Sequence, residues 1–129
     1  MEREISVEEL KEVITAAVEG GIGYWAILCN DTDAYVAARE KAKQALGERP
    51  CYCDTIYQLL IDGGKLCLED AEEEGEFYSL TYKKLLKGIE MWEKENHKTI
   101  KEAIDNSEFD SEDGDIIFQY AIFGEVVYG

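Results

Sequence analysis

Apolar residues recur at helical spacing near the start of the chain, where Leu10, Val13, Ile14, Ala17 and Val18 share one face. Ser6 with Glu9 three residues on is a capping-box signature and Gly20-Gly21 a stop, so the pattern predicts a first helix over about 6–19. The aromatic and aliphatic run Tyr24 to Cys29 reads as a strand. Asn30-Asp31-Thr32-Asp33 offers N-caps for a second, alanine-rich helix that carries Tyr35, Val36 and Ala38 and stops at Gly47.

After Pro50, Asp54 is a plausible cap for a short helix through Ile56, Tyr57, Leu59 and Leu60, which Gly63-Gly64 ends. Lys65 to Glu69 alternates, with Leu66 and Leu68 on one face, and Phe77 to Leu80 is a second strand candidate across the acidic turn, which together predict a β-hairpin. Thr81 caps the clearest amphipathic helix, with Tyr82, Leu85, Leu86, Ile89 and Trp92 on its apolar face. Ile100 and Ile104 predict one more helical piece, broken at Asn106-Ser107. Negative charge at Glu112, Asp113 and Asp115 suits the start of a helix over Ile116 to Phe123, with Gly124 its stop, and Glu125 to Tyr128 is expected as a last strand. Helices mixed with a small, mainly antiparallel sheet predict an α+β fold.

The length, 129 residues with 46% apolar, predicts a single domain over 1–129 with its own core. The formal charge of -16 opposes binding to nucleic acid or to an anionic membrane and leaves basic partners open. Met1-Glu2-Arg3-Glu4 begins with alternating charge and no apolar h-region follows, so the expectation is a cytoplasmic protein whose cysteines are thiols or metal ligands.

Several segments, namely Glu19-Gly20-Gly21-Ile22-Gly23-Tyr24-Trp25, Gly63-Gly64-Lys65-Leu66, Leu80-Thr81, Leu85-Leu86-Lys87-Gly88-Ile89 and the run from Gln119 to Gly129, resemble a family of small phage-encoded proteins. That family is similar to a zinc-containing type II-A anti-CRISPR protein of streptococcal phage. The resemblance implies a non-catalytic Cas9 inhibitor that binds a recognition-lobe domain in the host bacterial cytoplasm and prevents target-DNA loading. It also implies a structural zinc. The glycines and aromatics that carry the resemblance are residues that packing alone would demand, so they carry over no functional role.

Four thiolates suit a tetrahedral zinc cage, which makes Cys29, Cys51, Cys53 and Cys67 the candidate ligands. Their spacing is not the paired C-x-x-C of zinc ribbons, since Cys29 lies 22 residues before Cys51 and Cys67 lies 14 after Cys53. The set closes if the strand ending at Cys29 pairs beside the strand of Cys67 and the Cys51/Cys53 loop folds over their edge. Alternation leaves Cys67 on the face opposite Leu66 and Leu68. Asp31, Asp33, Asp54 and His97 are substitutes for a missing thiolate; the plainer reading makes Cys29 and Cys67 small core residues and Cys51 and Cys53 loop thiols.

Other chemistry is weaker. His97 is the only histidine and lies in a polar stretch, where a solvated helix end accounts for it, and no serine or cysteine has a nucleophile-elbow context. Gly20 to Gly23 lacks the Lys-Ser/Thr of a phosphate loop and reads as a turn, and Asp110 to Asp115 lacks calcium-loop spacing.

Six carboxylates, Glu69, Asp70, Glu72, Glu73, Glu74 and Glu76, crowd the predicted hairpin turn, and Glu108 to Asp115 adds five more. The bland reading is a solvated face. The functional reading is a surface complementary to a basic channel, with Cas9 as the partner the resemblance implies and another basic host factor or defence component as the alternative. A small metal-dependent enzyme is the third class, and it needs an exchangeable coordination position beside an acid or base.

Overall fold

The computed structural model describes residues 4–129 and places six α-helices around a three-stranded antiparallel sheet, an α+β fold. The first helix, α1 (Val7–Ala16), starts from the predicted capping box, with Ser6 N donating to Glu9 Oε2 at 2.8 Å and Glu9 N to Ser6 Oγ at 3.2 Å. It runs on into a π-helical turn, Ala17–Gly21, rather than stopping cleanly at the glycines. Strand β1 (Ala26–Leu28) is shorter than the Tyr24 to Cys29 run predicts, because Tyr24 and Trp25 lie in the turn that enters it.

Thr32 caps α2 (Asp33–Leu46), which ends at Gly47 in the left-handed conformation. The third helix, α3 (Tyr52–Ile61), begins two residues before the expected cap. Cys51 is its N-cap, and Asp54 sits three residues in, its carboxylate accepting from Cys51 N at 3.2 Å. The hairpin forms as predicted from β2 (Leu66–Asp70) and β3 (Phe77–Leu80), with Leu66 opposite Leu80 and Leu68 opposite Tyr78. β1 lies on the other side of β2, with Leu28 opposite Leu68.

Thr81 caps α4 (Tyr82–Asn96), Thr99 caps the short α5 (Ile100–Asp105), and Asp110 caps α6 (Ser111–Phe123). Packed against α4, α1 and the π turn, α6 lies at the centre, while α3 joins α1 to α2. Such contact on several sides explains why polar as well as apolar α6 residues, Asp115 and Gln119 among them, are buried beside Ile117 and Phe118. The close approach depends on small residues: a Cβ on Gly114 would lie 2.5 Å from Ala17 N, and one on Gly21 2.5 Å from Ser111 O.

The expected last strand does not form. The tail is held instead by side chains: Gln119 Oε1 accepts from Val127 N and Tyr128 N, both at 2.8 Å, and Tyr128 Oη donates to Asp70. The Tyr128 ring stacks on Trp25 at 5.2 Å between centroids. The valines carry a strand's propensity, but a buried amide supplies the acceptor that a neighbouring strand would otherwise provide.

One face of the sheet, with Ala26, Leu66, Leu68 and Leu80, is buried in the core. The other face carries the cross-strand row Ile27, Glu69 and Phe77, with Cys67 and Ser79 paired in a further row. Ile27 and Phe77 are 54% and 56% exposed.

Candidate functional site

The hairpin turn is built on Asp70. This residue is buried, with Oδ1 accepting from Glu72 N at 2.8 Å and Glu73 N at 2.9 Å, and Oδ2 from Tyr78 Oη at 2.6 Å and Tyr128 Oη at 3.1 Å. The Tyr78 bond, reinforced by the two backbone N–H groups, holds its carboxyl down at about 2. Asp70 therefore organises the turn from within, and it does not belong to the accessible acidic surface expected for it. Glu69 is half-buried and accepts from Gly75 N at 3.0 Å. Gly75 adopts a left-handed φ of 90°, which closes the turn.

With the turn fixed from inside, Glu72, Glu73, Glu74 and Glu76 are exposed together at its tip. Among the described residues no ion pair engages any of the four. The second acidic run behaves differently. Asp115 is buried and accepts from Tyr24 Oη at 2.6 Å and Trp25 Nε1 at 2.7 Å; Asp113 accepts from Trp92 Nε1 at 3.2 Å; Asp110 caps α6; Glu108 pairs with Lys98 at 3.3 Å. Only tertiary contacts separate the two runs, for their compositions are alike.

The cysteines fall into two pairs. The strand pairing that a four-cysteine cage would require is present: Cys29 N donates to Cys67 O at 3.1 Å. Burial, and then Cys67 itself, push the Cys29 thiol up to about 12. Cys51 and Cys53 do not fold over that edge, because they belong to the start of α3. Their Sγ atoms are 2.7 Å apart, and Cys51 Sγ lies 3.1 Å from Asp54 Oδ2. Cys51, Cys53 and Asp54 form a group that could hold a metal ion, with all three donor atoms within 4.8 Å of one another. Of the four expected ligands, the structure brings together two and adds a substitute, while Cys29 and Cys67 do not join the group.

Lys11 of α1 completes this corner, its Nζ 2.9 Å from Asp54 Oδ1. Partial burial would raise the Asp54 carboxyl, but the Lys11 and Cys51 hydrogen bonds outweigh it and hold it below the usual range. Burial and the hydrogen bond to Cys53 push the Cys51 thiol up to about 11. Lys11 is 43 residues from Asp54, and no sequence motif links them. Ile27 and Phe77 were also missed, although period-two alternation within their own strands, against Ala26 and Leu80, places them on the outer face.

The chain matches no family model, no curated protein and no solved structure. No helix among the described residues is long and apolar enough to cross a membrane. His97 is exposed and ends α4 in the left-handed conformation, as expected of a solvated helix end.

Proposed function

We propose that this protein is a non-catalytic binding protein that presents the β2–β3 turn to a basic surface on another protein. One observation carries the reading: Glu72, Glu73, Glu74 and Glu76 are exposed at one tip and form no ion pair among the described residues, whereas the comparably acidic 108–115 segment is largely engaged in the fold. Beside that tip, Phe77 and Ile27 supply apolar area, so charge would steer association and the apolar row would be covered on contact.

The resemblance to phage anti-CRISPR proteins narrows the partner to a recognition-lobe domain of Cas9 in the host bacterial cytoplasm. Cas9 holds its guide–target heteroduplex in a positively charged channel through the nucleic-acid backbone, and an acidic tip in that channel would compete with target DNA. In this reading the metal is a zinc with a structural role. Held by Cys51, Cys53 and Asp54, it would fasten the start of α3, with Lys11 linking the site to α1.

The test is target-DNA binding and cleavage by guide-loaded streptococcal Cas9, with and without near-stoichiometric protein. Loss of DNA loading that is relieved by combined Glu72→Lys, Glu73→Lys, Glu74→Lys and Glu76→Lys supports the proposal. Unchanged loading and cleavage across several Cas9 orthologues would overturn the Cas9 assignment and direct the search to another basic host factor.

A further inference from the structure

Building on the metal reading above, we infer that the Cys51–Cys53–Asp54 group is an open three-donor site for a zinc-class cation, with one coordination position left for a donor from outside the chain. The donors lie within four residues at the beginning of one helix: Cys51 caps α3, while Cys53 and Asp54 lie in its first turn. Cys51 is exposed, and the other two are half-buried. Cys29, just past β1, donates its backbone N–H to Cys67 O on β2, and neither cysteine enters the group, so the chain's remaining thiols do not close it.

The chemistry of the set selects the ion class. Two sulfur donors and one carboxylate favour zinc and its soft neighbours over calcium or magnesium, which seek oxygen donors. Ionised, the set carries three negative charges, one more than a divalent cation neutralises, and Lys11 stands beside it to offset the excess. Lys11 holds Oδ1 of Asp54, while Oδ2 is the oxygen beside the Cys51 sulfur, so the carboxylate is oriented with one oxygen directed to that thiol. Tetrahedral zinc with bonds near 2.3 Å separates two sulfurs by about 3.8 Å, so binding must open the 2.7 Å contact between the thiols by about 1 Å. Cys51 lies outside the helix proper, which leaves it the freer of the two to move. Three protein donors leave a tetrahedral ion one position short, the arrangement that permits ligand exchange; a thiolate or an imidazole nitrogen is the donor class that suits the same ion.

Cobalt(II) titration of the reduced full-length protein, followed by absorption, tests this with imidazole as the external donor. The expected result is one ion per chain with the charge-transfer intensity of two thiolates, and d–d bands that shift when imidazole is added. Cys51→Ser and Cys53→Ser should abolish binding at equimolar metal, Cys29→Ser and Cys67→Ser should leave it intact, and Lys11→Met should weaken it about 10- to 100-fold. Circular dichroism of each metal-free variant shows that it is folded. A four-thiolate spectrum insensitive to imidazole and lost with Cys29→Ser or Cys67→Ser would overturn the open site while leaving a closed zinc site standing. Absence of cobalt and zinc binding would overturn both.

Discussion

Trp25 donates its indole N–H to Asp115 Oδ1 at 2.7 Å, joining the entrance of β1 to the middle of α6 across 90 residues. The same carboxylate accepts from Tyr24 and from Gln119, and Gln119 in turn holds the backbone of Val127 and Tyr128. One buried acid thus organises the aromatic entrance, the central helix and the C-terminal tail.

Replacing Asp115 by alanine should destabilise the protein by about 3 kcal/mol, because it leaves the Trp25 and Gln119 donors without this acceptor in the interior. Trp25→Phe removes one donor and part of the ring stacked on Tyr128, and should cost less if the hydrogen-bond network dominates. Urea unfolding of the two variants checks the order; equal stability of Asp115→Ala and the parent would sink the account.

Acid stability should carry the signature of Asp70. Its folded-state value of about 2 lies below the ordinary carboxylate value of about 3.9, so its contribution is present above about pH 4 and is lost as pH falls toward 2. Asp70→Asn should lower stability at pH 7 and flatten the pH dependence between about 4 and 2. Thermal melts over that range, compared with the parent, provide the measurement.

Lysine at Glu72, Glu73 and Glu74 should change folding stability by no more than about 0.5 kcal/mol per site, since these side chains are exposed and no ion pair among the described residues engages them. Binding to a basic protein partner should fall in the same variants and with rising salt. A large drop in melting temperature would show that the turn serves the fold rather than a partner.

Gly114→Ala tests the close approach of α6 to the π turn. Alanine gains about 1 kcal/mol of helix propensity, yet its Cβ would lie 2.5 Å from Ala17 N and 2.8 Å from Ala16 Cβ. A net loss of about 1–3 kcal/mol is expected, whereas Gly23→Ala, with open space around the added carbon, should be close to neutral. Denaturant midpoints of the two variants decide it.

The positions of most elements were legible in the local pattern. Ser6 with Glu9, Thr81, Gly47 and Gly124 act where local chemistry places them, because caps and stops depend on residues within one turn. The cap of α3 lies three residues ahead of Asp54, because Asp54, a good cap by type, serves as the reciprocal partner of Cys51. The strand predicted at 125–128 failed because propensity cannot report whether a sheet edge is within reach.

The α+β class, the hairpin and the amphipathic helix α4 follow from periodicity and short-range capping along the chain, whereas the pairing that sets Cys29 beside Cys67 joins strands far apart in sequence. Which charges stay free and which donors meet depends on packing between distant segments. Asp70 and Asp115 look like their acidic neighbours along the chain, but burial beside tyrosine, tryptophan and glutamine donors turns them into internal acceptors. Lys11 and Asp54, 43 residues apart, meet because α1 packs on α3, a consequence of complementary surfaces that no local pattern encodes.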